Sequence, residues 1–148
     1  MKIHNKTLFL LFLLCVSCSQ EWSYLVEKPS DETLLGEWTL HSYPIYLNRN
    51  SNFELGKVSI VFEKNHTFVG RMIPVIGEKS AVYSTDISGS WEVNDVAWRN
   101  TRLNWEMVLS VHELHRSMRL DFIEFKGQIA LRIVQNLDSG EGFVFLKG

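Results

Sequence analysis

Cysteine is almost missing from this chain. There are two in 148 residues, Cys15 and Cys18, and none from Ser19 onward. The body of the protein therefore has no disulfide framework and no thiolate metal centre, and its core alone must hold the fold. An excess of one charge is also lacking: 15 basic side chains stand against 17 acidic, for a formal charge of -2. That leaves no basic surplus for a phosphate backbone, so nucleic acid is not an expected partner. No apolar run reaches the roughly 18–20 residues of a bilayer-spanning helix. Gly-rich phosphate loops are absent, and no nucleophile stands with a base and an orienting acid at a recognised spacing. No long stretch has helical periodicity. The expectation is a binding protein, not an enzyme, with no cofactor and no metal.

What is present is enough for one folded domain. Apolar residues make up 45% and charged residues 22%, a balance that supports a packed core and argues against disorder.

Met1 to Thr7 carry Lys2 and Lys6 and no acid, and Leu8 to Val16 form an unbroken apolar run. A basic start followed by a short apolar core is a secretory signal. The run ends at Cys15-Val16-Ser17-Cys18-Ser19. Small Ser17 before Cys18 resembles the cleavage box of bacterial lipoproteins. That resemblance implies a signal peptide over 1–17, a diacylglycerol thioether on Cys18 and an N-acyl chain. Several acyl chains together give stable anchoring, so the membrane is the expected partner. Ser19 in the next position resembles lipoproteins sent on to the outer membrane of Gram-negative bacteria. Losing Lys2 and Lys6 takes the basic count from 15 to 13 against 17 acids, a mature formal charge of -4.

Residues 18–33 read as the lipidated cysteine and a tether without periodicity, although Trp22, Tyr24 and Leu25 are too apolar for a pure spacer. They suit either a cap on the domain or the membrane interface, where aromatics settle. From Leu34 to Gly148 the dominant period is two. Gly36, Trp38 and Leu40 share one face, as do Val58, Ile60 and Phe62, then Phe68, Gly70 and Met72, then Ile87, Gly89, Trp91 and Val93. Leu103 to Val111 give the longest clean stripe. Met118, Leu120 and Phe122 pass to Ile123 and Phe125, a change of phase that a bulge produces. Ile129, Leu131 and Ile133 follow, with Phe143 and Phe145 last, and a weaker strand is expected at Ser80 to Ser84. Turn signals lie at Lys64-Asn65-His66, with Asn65 suited to positive φ, and at Asn94-Asp95, Lys126-Gly127 and Asp138-Ser139-Gly140. Tyr43 to Leu55 is the one long irregular link. The pattern predicts an all-β fold, an antiparallel up-and-down meander of about eight strands closed or nearly closed into a barrel, with a two-sheet sandwich as the alternative.

Leu35-Gly36-Glu37-Trp38, the Phe62 to Phe68 hairpin and Ser88-Gly89-Ser90-Trp91-Glu92-Val93 resemble the lipocalin-like domain of Gram-negative lipoproteins. In that family the Trp of Gly-x-Trp plugs one barrel end, which implies structural roles for Gly36 and Trp38. A late Arg often packs on that Trp. Arg132 is the candidate here, on the face opposite the Ile129, Leu131 and Ile133 stripe.

His112-Glu113-Leu114-His115 ends a strand, and positions three apart on a strand face opposite ways. A solvated turn is expected there, not a metal site. Glu92, Glu106 and Asp121 fall at outward strand positions and read as a solvated face, while Trp38, Trp91 and Trp105 read as core. A small apolar ligand inside the barrel would enter past the two long connections. Tyr43, Tyr46, Phe53 and Trp98 are the expected rim, with Arg99 and Arg102 placed to meet an acidic head group. The competing reading is that these aromatics fold inward, the barrel is filled, and the domain is a protein-interaction module of the cell envelope.

Overall fold

A computed structural model describes residues 22–44, 54–76, 82–97, 103–136 and 141–148. Its elements in chain order are β1 (Trp22–Tyr24), α1 (Asp31–Leu34), β2 (Gly36–Ser42), β3 (Ser59–Phe62), β4 (Thr67–Ile76), β5 (Val82–Ala97), β6 (Leu103–Val111), β7 (Arg116–Phe125), β8 (Gln128–Asn136) and β9 (Glu141–Lys147). From β2 to β9 each strand pairs antiparallel with its sequence neighbours, and β9 returns to β2 with Leu40 opposite Phe145. The result is a closed eight-stranded up-and-down barrel, as the alternation predicts. The β9–β2 ladder excludes the sandwich. Closure leaves no open sheet edge among these eight strands.

Side chains from all eight strands meet inside. Trp38, Phe62, Phe68, Trp91, Met107, Leu120, Phe122, Leu131, Phe143 and Phe145 are each 3% exposed or less. Eight strands make an interior just wide enough for side chains to fill. Each large side chain removed from water this way contributes ~1.5–3 kcal/mol before entropy is counted.

Three expectations change. In β4 the pairing with β5 shifts between Gly70 and Ile73, and Met72 takes φ 52°. The freed Met72 N–H donates to Asp86 Oδ1 at 2.8 Å. This bulge moves the inward phase from Phe68 and Gly70 to Ile73 and Val75, leaving Met72 half-buried. Second, Asn94-Asp95 is not a turn, because Asn94 pairs with Glu106 and Asp95 with Trp105 inside β5, which also takes in Val82 to Ser84 of the weak strand expected at Ser80 to Ser84. Third, β7 has no bulge. Its pairing runs unbroken on both sides, so Phe122 faces in while Ile123 and Phe125 face out. They are nonetheless buried, because β1 lies along β7 with Trp22 opposite Phe125 and Tyr24 opposite Ile123. Ala130, Val144, Trp22 and Leu146 complete this outer cluster.

The Lys64–His66 and Lys126–Gly127 turns form where the sequence signals them. In the first, positive φ falls at His66 (60°), while Asn65 Oδ1 accepts from Thr67 N at 3.3 Å. The Asp138–Gly140 signal lies outside the described residues.

The segment read as a tether joins the fold from Trp22 on. Leu25 N–H donates to the Phe122 carbonyl at 3.2 Å, Pro29 is buried, and Ser30 caps α1 by accepting from Thr33 N. The chain then passes across one barrel end to start β2.

Candidate functional site

Gly36 connects that end cap to the barrel. Its φ of 108° is a conformation side chains rarely adopt, and it lets the chain leave α1 and enter β2 at once. Trp38 follows, fully buried, and its indole N–H donates to the Leu34 carbonyl at 2.8 Å. Leu34 is itself fully buried, and Lys147 Nζ donates to the Thr33 carbonyl at 2.8 Å. Gly36 and Trp38 thus close one end.

The β3–β4 turn brings a second aromatic to the same end. The His66 ring stacks on Trp91 with centroids 4.4 Å apart and planes 15° off parallel. Trp91 is 3% exposed, and its Nε1–H has no hydrogen-bond partner among the described residues. A Cβ at Gly89 would strike the Ser110 carbonyl oxygen. The second Gly-x-Trp therefore has its glycine for close strand approach.

In an up-and-down barrel alternate connections fall at opposite ends. The β2–β3 connection leaves Ser42 at the end away from α1, whereas the β5–β6 connection leaves Ala97 at the end that α1 closes. The two connections thus start at opposite ends. Tyr43 is half-buried and packs against the core at the first of these ends. Tyr46, Phe53, Trp98, Arg99 and Arg102 lie outside the described residues, as does Cys18.

The most polar buried group lies on the outer wall. Arg132 is 1% exposed. Its guanidinium stands 3.6 Å from the Trp22 ring centre, and Nη2 donates to Asp121 Oδ2 at 2.8 Å and to the Tyr24 hydroxyl at 3.1 Å. A late Arg does pack on a Trp, but on Trp22 outside and not on Trp38 inside. Glu106, directly across from Asp121, is 8% exposed and accepts from Arg119 Nη1 at 2.9 Å. Of the three acids expected on a solvated face, only Glu92 is exposed; β1 and the two arginines cover or pair the others. The sequence signal for this cluster was present: Arg132 shares its face with Ala130, in a barrel wall that also turns Ile123 and Phe125 outward. An apolar outer wall needs a cover.

Trp105 is half-buried and packs against the core, with Lys28 Nζ 5.5 Å above its ring. His112, Glu113 and His115 are exposed in the β6–β7 turn. Glu113 reaches back to β5, accepting from Ser88 N at 2.8 Å and Ser88 Oγ at 2.7 Å. The Ser88 backbone N–H, and then the Ser88 hydroxyl, hold its carboxyl below the usual carboxylate range. Among the described residues no three His, Cys, Asp or Glu side chains are grouped to hold a metal ion. No protein-family model, curated protein or solved structure matches the chain.

Proposed function

We propose that the chain is a lipid-anchored lipoprotein of the cell envelope, held in a Gram-negative outer membrane through Cys18, whose lipocalin-like barrel is a protein-interaction module. The observation that carries the choice against a carrier is the barrel filling. Trp38, Phe62, Phe68, Phe122, Phe143 and Phe145 converge from five strands, each 2% exposed or less. Large buried rings that fill an eight-stranded interior compete directly with a ligand for the same volume. Leu34 and Trp38 seal one end as well.

A second reading, a carrier of a small apolar ligand with a polar head, draws on the buried Trp91 Nε1–H, which lacks a partner among the described residues. A buried donor without an acceptor is costly, and a ligand oxygen is one way to satisfy it. Native mass spectrometry on protein taken from its own host separates the two. A co-purifying protein and no bound small molecule supports the module. Saturable uptake of an environment-sensitive fluorescent fatty acid, with the Trp91 emission altered, sinks it in favour of the carrier.

A further inference from the structure

The described fold begins at Trp22, four residues after Cys18, and this sets where a lipid on Cys18 would hold the barrel. Four extended residues span at most about 14 Å. That is about twice the depth of the head-group layer, roughly 5–8 Å on each side of a bilayer, so Trp22 stays close to the lipid surface. Trp22 is no free tether end. It is paired to Phe125, stacked on Arg132 and packed in the outer cluster of β7, β8 and β9. An anchor at Cys18 therefore positions the barrel wall itself.

That wall has the composition of a membrane interface. Tyr24 is 41% exposed and Val26 is 81% exposed, and they follow Trp22 at every second residue. Lys28 and Lys126 are exposed nearby, and so are Glu27 and Glu124. Two lysines against two glutamates leave no net charge, so attraction to anionic lipid is not what would hold this face down. The neighbouring barrel end differs. It presents exposed Asp31, Glu32 and Glu63 against Lys64, a net negative set that an anionic surface repels. Amphipathic rings and an exposed aliphatic suit the boundary between head groups and acyl chains, where Trp and Tyr concentrate.

We infer that the wall formed by β1 and the following residues, with Trp22, Tyr24 and Val26, rests on the lipid bilayer, so that the barrel lies on its side. The occupant of this surface is lipid. This rests on the lipoprotein reading of Cys18, and the experiment separates the two.

The chain 18–148 has one thiol, Cys18. Coupling it to a maleimide-bearing phospholipid in vesicles anchors the protein without any acylating enzyme. The vesicles are phosphatidylcholine, with or without phosphatidylglycerol, and contain lipid brominated near the head group. The expected result is a loss of tryptophan emission that disappears in Trp22→Phe, a change that keeps a ring over Arg132. The loss should also shrink in Val26→Glu and be the same with and without phosphatidylglycerol. Circular dichroism of each variant confirms the fold. Emission unchanged by brominated lipid, or quenching that persists in Trp22→Phe, overturns the side-on placement. Either outcome leaves acylation of Cys18 to be judged by palmitate labelling in cells.

Discussion

Arg132 and Trp22 meet on the outside of the barrel, with the guanidinium 3.6 Å from the indole centre and the Arg side chain only 2% exposed. A positive charge buried on an outer wall is possible because β1 roofs it and Asp121 neutralises it. Removing one partner of a buried pair costs ~3–5 kcal/mol, since a charge is left uncompensated, whereas replacing both with apolar groups can be neutral. The Asp121 side chain is 25% exposed, so the lower end of that range applies. Loss of its repulsion with Glu106 across the ladder offsets a little more. Asp121→Asn is therefore expected to lower stability by about 2–3 kcal/mol in urea unfolding. Arg132→Met with Asp121→Leu should cost less than Asp121→Asn alone. If the double replacement is the worse of the two, the charge is not the strained element.

Trp38 is the second stability prediction. It is fully buried, and its N–H satisfies the carbonyl of Leu34, the residue that closes the barrel end. Trp38→Ala loses transfer energy, leaves a cavity and strands that carbonyl. A buried Trp→Ala change costs ~3–5 kcal/mol. A disulfide-free domain of this size holds only ~5–15 kcal/mol in all. Calorimetry should show a large fall in Tm. Trp38→Phe should recover much of the packing but not the hydrogen bond. A Tm unchanged in the alanine variant would mean that α1 seals the end without Trp38.

These two sites differ in how far the sequence announced them. The barrel was legible because period-two alternation over many strands fixes which face is dry, and Gly36-x-Trp38 marked the closed end. The phase change at Ile123 was legible only as a change: its cause is a second dry face under β1, not a bulge. The one at Met72, a bulge that Asp86 stabilises, went unread, because Met72 continues the apolar alternation of Phe68 and Gly70. The role of Trp22 depended on knowing its partner strands, β7 and β8, about 100 residues away in the chain (Arg132 in β8 to Tyr24 spans 108). The ligand rim read from the two long connections lies, Tyr43 apart, outside the described residues. The lengths of these connections were visible, but that their flanking strands leave from opposite barrel ends followed only from counting every strand.

Glu113 makes stability depend on pH. Its carboxyl is held below the usual range by the Ser88 N–H and hydroxyl. A carboxyl depressed in the folded state contributes stability that is fully present above its unfolded value. That contribution is lost as pH falls through the folded value. The wild-type chain should therefore lose stability on acidification more steeply than Glu113→Gln, which has no proton to take up. Tm followed from pH 7 down through the carboxylate range measures this directly. Parallel curves for the two proteins would show that the Ser88 contact does not discriminate between the ionised and protonated carboxyl. Ser88→Ala, which removes the hydroxyl and keeps the backbone donor, should fall between them.

The last prediction separates anchor from fold. Cys18 precedes every described element, and the first paired residue among those described is Trp22. If Cys18 carries the lipid, Cys18→Ala abolishes retention at the membrane and leaves the barrel intact. Two acyl signals suffice for stable anchoring, whereas an interfacial wall with balanced charge gives only weak and reversible contact. Fractionation of cells expressing Cys18→Ala should move the protein to the soluble fraction or leave it unprocessed. Purified chains from Ser19 onward, with and without the acyl-cysteine, should melt together once detergent is matched. A shift in Tm between them would mean that the lipid braces β1 against Arg132 as well as tethering it. Membrane retention of Cys18→Ala at full strength, with unchanged mature mass, would remove the lipoprotein reading altogether.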